Sequence, residues 1–171
     1  MEGIIIMGGS SGGGVSSSDL QKLMERAKQK LKEVSGGSRH IFISFAYEDV
    51  DEVNLLRGQA KNENTDLQFD DYSVKEAFDS NNADYIKRQI REKIDKASVT
   101  LIYLSNSSAK SKWVNWEIEE SIKRGKGVVG VFKGDTPPKS LPTAVKDNTI
   151  KVVKWSHSNL MQAIEEANNK K

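Results

Sequence analysis

The chain has 171 residues, 36% of them hydrophobic and 29% charged, with a net charge of +2 and no cysteine. That length suits one domain with an appendage and a real core. The mixed charges exclude the basic stripe of a nucleic-acid binder, and the missing thiols exclude disulfides and thiolate metal sites. No apolar run reaches the roughly 20 residues of a membrane span, and the first apolar stretch is too short for a secretory signal. The expectation is a cytoplasmic protein whose partners include neither membrane nor nucleic acid.

Residues 1–18 read as a flexible leader rich in Gly and Ser. Gly3 to Leu20 has the order of strand, glycine loop and helix start that nucleotide-binding folds use for phosphate. The loop lacks the lysine of a P-loop, however, and no acidic residue ends a second strand ~20 residues on, as a dinucleotide fold requires. Five glycines between Gly8 and Gly14 resist ordering into one defined turn. From Asp19 to Val34, apolar residues at spacings of three and four predict an amphipathic helix, stopped by Gly36-Gly37. Residues 19–37 therefore form a helix and linker, and 38–171 the main domain.

That domain alternates. His40–Phe45 reads as a strand, and Asp49 to about Asn64 as a helix with Val50, Val53, Leu56 and Ala60 in register. Leu67–Phe69 is a brief strand closed by Asp70-Asp71, and Ser73–Asn82 a loop. Asn82–Ala97 is a helix with Ile86, Ile90 and Ile94 on one stripe. Ser98–Leu104 is a strand apolar enough for burial on both faces. Ser105–Ser111 reads as a loop, Trp113–Arg124 as a helix ended by Gly125, and Gly127–Phe132 as a strand. A turn at Asp135–Pro138, a strand at Ile150–Val153 and a helix at Ser156–Ala167 complete the chain. Five short strands alternating with helices predict an α/β fold: a doubly wound, five-stranded parallel sheet flanked by helices. Its ligand crevice would lie beyond the carboxyl ends of the strands.

The most informative stretch runs from Ser111 to Val131. Val114, Ile118 and Ile122 make a core stripe; Trp113, Glu117 and Ser121 make the stripe beside it, with Trp116 nearby. Tryptophan, three residues, Glu-Ile, a helix ending in Gly-Lys and an apolar strand resemble the pattern of TIR domains that break down NAD. Arg39-His-Ile-Phe-Ile-Ser-Phe45-Ala-Tyr-Glu-Asp49 is similar to the first TIR strand and its loop. Within that superfamily the chain is most similar to the bacterial branch that includes the ThsB proteins of Thoeris anti-phage defence, over about Arg39 to Lys154.

The resemblance implies a TIR/flavodoxin-like fold and assigns residues. Glu117 takes the place of the catalytic glutamate, and Trp113 that of the tryptophan four residues before it. Ser44, Phe45, Ala46 and Tyr47 fall in the loop that lines the nucleotide pocket. Ser73–Asn82, with Phe78 and Asp79, corresponds to a mobile loop that contacts a neighbouring subunit. The chain departs from the pattern where some NAD-cleaving relatives carry arginines after the first strand, here Ala46 and Tyr47. Its mobile loop also lacks the usual glycine. No metal ligands and no cofactor are implied; NAD is the substrate. Self-association into an oligomer and a downstream effector that senses the product nucleotide are the implied partners.

The chemistry suits one carboxylate. Nicotinamide leaves NAD as a neutral group from a cationic pyridinium, so no general acid is needed. An oxocarbenium-like ribose does need stabilising, as in glycoside cleavage, and an ionised carboxylate supplies that electrostatically. Its place early in a helix modestly favours the ionised form. Water attack gives ADP-ribose; attack from within the nucleotide gives a cyclic ADP-ribose. The second reading is a TIR-like interaction module without catalysis. A phospho-receiver is rejected because Ser105 stands where the accepting Asp would be, and His40 and His157 suggest no catalytic triad.

Overall fold

The protein was analysed as a computed structural model, which describes residues 16–34, 39–62, 67–72 and 76–170. The chain divides into two units, 1–37 and 38–171, treated separately below. In the first, residues 1–15 and 35–38 lie outside the described residues, and with them most of the expected leader and the Gly36-Gly37 stop. The helix α1 covers Ser17–Val34. It starts two residues before the expected Asp19, because Ser16 accepts from the Asp19 and Leu20 amides through its carbonyl oxygen, both at 3.0 Å.

The second unit contains the strands β1 (Arg39–Ser44), β2 (Leu67–Asp71), β3 (Val99–Tyr103), β4 (Gly127–Phe132) and β5 (Lys151–Lys154). They form one parallel sheet in the order β2-β1-β3-β4-β5. This is the flavodoxin-like strand order, and the winding direction reverses between β1 and β3. The connecting helices are α2 (Val50–Asn62, after a 3-10 turn at Tyr47–Asp49), α3 (Ala83–Lys96), α4 (Asn106–Lys110), α5 (Lys112–Lys123), α6 (Thr143–Asp147) and α7 (His157–Asn169).

Side chains alternate along each strand, so each face has its own core. Ile41, Ile43, Val99, Leu101, Tyr103, Val129 and Val131 meet Val53 and Leu56 of α2 and Leu160, Ala163 and Ile164 of α7. On the opposite face Phe42 packs with Ile86, Ile90 and Ile94 of α3, while Ile102 and Phe132 pack with Val114 and Ile118 of α5 and Val145 of α6. Each fully buried Ile or Leu contributes about 1.5–3 kcal/mol. Trp155 packs against the α2/α7 core.

Three segments depart from expectation. Residues 105–111 hold a short helix, because the Ser105 hydroxyl accepts from the amides of Ser107 and Ser108 and the Ser105 amide donates in return to the Ser108 hydroxyl. A one-turn helix is too short for hydrophobic periodicity to reveal. The unexpected α6 has the same cause. β2 also runs on through Asp70 and Asp71, whose carboxylates pair with Lys93 and Arg57 respectively.

At the amino ends of the strands the packing leaves no slack. A Cβ on Gly127 would sit 2.2 Å from the carbonyl oxygen of Ala167 in α7. Gly127→Ala is therefore expected to destabilise the domain by about 2–3 kcal/mol, which lowers Tm by roughly 5–10 °C. A calorimetric Tm equal to that of the parent would contradict this packing.

Candidate active site

β1 ends at Ser44, whose alternation places it with Phe42 on the face covered by α3 and α5. From the end of β3 the chain makes the α4 turn, and Ser111 then caps α5 by accepting from the Val114 amide. α5 thus starts at the carboxyl edge of the sheet, and Glu117 lies in its second turn. The Ser44 hydroxyl donates to the Glu117 carboxyl group. Ser44 is 1% exposed and Glu117 3% exposed, so the pair sits between helix and sheet beside the switch point where such folds bind ligands.

A second polar contact lies one helical turn further on. The Ser121 hydroxyl donates to the Glu117 carbonyl oxygen at 2.7 Å and lies 2.8 Å from the Thr100 hydroxyl. Since Ser121 has only one proton, Thr100 is the donor in that second bond. Thr100 and Ser121 are both fully buried. These two bonds fix the backbone under Glu117 against β3. Ser121 was visible in the sequence as part of the Trp113–Glu117 stripe; Thr100 was signalled only as a hydroxyl in an apolar strand.

The charge state of Glu117 differs from the sequence expectation. Burial pushes its pKa from 4.5 up to about 8, and the Ser44 hydrogen bond lowers it only in part. A helix N-terminus more than one turn away offers little against that desolvation. The group is therefore neutral at pH 7.

Trp113 heads an aromatic cluster beside this carboxyl. Its Nε1–H donates to the Glu76 carbonyl oxygen at 2.8 Å. Phe78 meets it edge-on with centroids 4.8 Å apart, and Trp116 stands 6.0 Å away on its other side. The Lys87 ammonium lies 4.1 Å from the Phe78 centroid and 5.8 Å from that of Trp116; the Arg91 guanidinium lies 5.4 Å from Trp116.

Of the residues expected at the site, Ser44, Trp113 and Phe78 gather with Glu117. Phe45 packs instead into the α2/α7 core, because strand alternation turns it to the other face. Ala46 is buried at 2%, and Tyr47 is 39% exposed at the start of the 3-10 turn. Asp79 is at the surface, 3.1 Å from Lys112. Residues 73–75 of the expected mobile loop lie outside the described residues.

A second carboxyl, Asp49, which no spacing in the sequence singled out for burial, is buried at this edge. Ser105 donates to Asp49 at 2.5 Å, tying the start of α4 to the loop after β1. Burial raises the Asp49 pKa against the Ser105 bond, with Glu48 and Glu52 adding to the rise. Tyr103 next to it is pushed up to about 12 by burial and then by Glu52 and Asp49. Among the described residues, no three His, Cys, Asp or Glu side chains stand together to hold a metal ion, and no helix is long and apolar enough to cross a membrane.

Residues 42–136, more than half of the chain, match the family model for the Thoeris protein ThsB, TIR-like domain. A curated relative, "Putative cyclic ADP-D-ribose synthase ThsB1" of Bacillus cereus (strain MSX-D12), is 28% identical over 98 residues, 55% of this chain and 51% of that protein. The chain thus spans about half the length of that relative. Among solved structures, the TIR domains of the activated Roq1 resistosome are similar over 78% of this chain and 82% of theirs, with 17% identity and a TM-score of 0.42. The RPS4 and RRS1 TIR-domain heterodimer is similar over 77% of this chain and 94% of its own, with 15% identity and a TM-score of 0.45.

The buried Glu117 makes stability depend on pH. Below about pH 4.5 folded and unfolded chains both carry the proton. Between there and about 8 only the unfolded chain has lost it, so stability falls as pH rises, by roughly 1.4 kcal/mol per unit. Glu117→Gln removes this loss, and its advantage over the parent should grow to about 3 kcal/mol at pH 7. Denaturant midpoints of both proteins at pH 5 and pH 8 measure it; parallel pH curves would refute the buried neutral carboxyl.

Proposed function

Because the chain belongs to the Thoeris ThsB TIR-like domain family, we propose that it cleaves the nicotinamide–ribose bond of NAD. The products are nicotinamide and ADP-ribose, linear or cyclic. The observation that supports this most is the buried carboxyl of Glu117, held by Ser44 at the crevice edge beside Trp113 and Phe78. The name of the ThsB1 relative, a cyclic ADP-D-ribose synthase, supports the same substrate.

The chemistry follows from the environment of Glu117. Alone, the carboxyl is neutral, which keeps an isolated charge out of the core. A bound pyridinium brings a positive charge within reach, and an opposite charge favours the ionised carboxylate. The proton leaves as substrate binds, and the carboxylate then faces the positive charge that develops on the ribose as nicotinamide departs. The indole of Trp113 and the ring of Phe78 limit water beside the reacting carbon. Attack by water completes hydrolysis; attack by a nucleophile within the nucleotide closes the cyclic product, and either route releases one proton overall.

One observation favours the alternative, an interaction module without catalysis: Glu117 is only 3% exposed, so substrate must displace part of its cover. Under the enzymatic reading, self-association activates the chain, a nucleotide-sensing effector reads its product, and the setting is anti-phage defence.

Nicotinamide release from NAD, followed by chromatography on concentrated protein, separates the two readings. The parent is expected to turn over, and Glu117→Ala to lose at least about 100-fold in kcat/KM. In the parent, kcat/KM should rise with pH through about 8, the free-enzyme value for Glu117. The corresponding limb of kcat should lie lower, because the bound cation favours the carboxylate. Absence of turnover at every protein concentration would leave the interaction module, and full turnover by Glu117→Ala would remove that residue from the mechanism.

A further inference from the structure

We propose that Lys87 is the pyrophosphate-binding cation of this site, recognising the bridging phosphates of a nicotinamide dinucleotide while Glu117 meets the ribose. The assignment rests on the catalytic reading above and extends it to the anionic half of the substrate.

The pyrophosphate of such a dinucleotide carries two negative charges, which demand a cation or a row of amides. The loop after β1 offers no cation, since its residues are Phe45, Ala46, Tyr47, Glu48 and Asp49. The charge must come from another element at the same edge. α3 and α5 both follow the carboxyl end of a strand, so both begin at the crevice edge and run back along the sheet. Lys87 is the fifth residue of α3 and Glu117 the sixth of α5. At 1.5 Å per residue they lie about 6 and 8 Å from their helix starts, level with one another on neighbouring helices. The Phe78–Trp113–Trp116 cluster lies between them.

The partners of the nearby cations single out Lys87. Arg91 is bound to Glu120 at 3.1 Å, Lys93 to Asp70 at 2.5 Å, and Lys112 to Asp79 at 3.1 Å. Lys87 meets no carboxylate among the described residues. The residue is half-buried, and its ammonium rests on the faces of Phe78 and Trp116. A ring face holds an ammonium more weakly than a charge-assisted hydrogen bond to a phosphate oxygen does. The cation is thus kept at the site, pointed at the aromatic cluster, without an acid to neutralise it.

The test compares NAD with nicotinamide riboside, which has the same scissile bond and no phosphate. Lys87→Gln should lower kcat/KM for NAD about 10- to 100-fold more than for the riboside, the range of a charge-assisted hydrogen bond, and mostly through KM. Lys87→Arg should recover most of the loss. An equal effect on both substrates, or none on either, overturns the assignment. Calorimetric titration of NAD into parent and Lys87→Gln protein separates the two levels of the proposal. If the parent binds NAD without cleaving it, the catalytic reading fails, and Lys87 stands only if its loss weakens that binding. If the parent neither binds nor cleaves NAD, both fail.

Discussion

The Ser44 hydroxyl donates to the Glu117 carboxyl across a helix–sheet boundary that is mostly apolar. An unpartnered carboxyl at that depth would be costly. One hydrogen bond offsets only part of the cost, and the remainder appears as the raised pKa of about 8. The surroundings bear this out: Ser44 must end β1 facing α5, Ser111 must start α5 where the second turn meets that strand, and Thr100 and Ser121 must hold the turn down. Ser44, Thr100 and Ser121 are small polar groups inserted into a packed face. A core formed for stability alone would fill those places with Val, Ala or Leu.

Glu117 and Glu120 show how far environment decides the behaviour of one residue type. They are three apart on α5, and both are buried. Burial pushes Glu120 up as well, but hydrogen bonds from Arg91 of α3 and Arg124 outweigh it and hold its pKa below the usual range. Glu120 is therefore a fixed anion tying α3 to α5, and Arg124 extends the tie to Asp95. Glu117 has a hydroxyl for a partner and no cation. Its charge is left to be decided by whatever enters the site.

Much of this was legible in the sequence, for identifiable reasons. β3 and β4 are continuous apolar runs, and the stripes of α3 and α5 recur every four residues, so the strand and helix order followed from periodicity. Glu117 stood out through its spacing from Trp113 and its place before an apolar strand. Three features were hidden. Periodicity carries no information about a helix of five residues, hence α4 and α6. The split of Ser44 and Phe45 onto opposite faces depends on where β1 ends, and boundaries are the least certain part of a sequence reading. The protonation of Glu117 depends on how completely α5 covers it, which is a property of packing and not of spacing. Lys87 was invisible for a related reason, because its contacts with Phe78 and Trp116 join three separate elements.

The two ends of the sheet are built differently. At the amino ends, Gly127 admits the α7 backbone against β4. Lys126 donates to the Asp95 and Ala97 carbonyl oxygens at 2.9 Å each, closing the end of α3. Gly125 ends α5 at φ +69°, a conformation available to glycine at little cost. At the carboxyl ends the contacts are hydroxyls, carboxyls and aromatic edges, each worth on the order of 1 kcal/mol. α3 and α5 are thus held by apolar packing along their whole length, through Ile86 and Val114 near the crevice and Ile94 and Ile122 towards the far ends, and the polar contacts at the crevice end set the position of side chains on a face that is already packed.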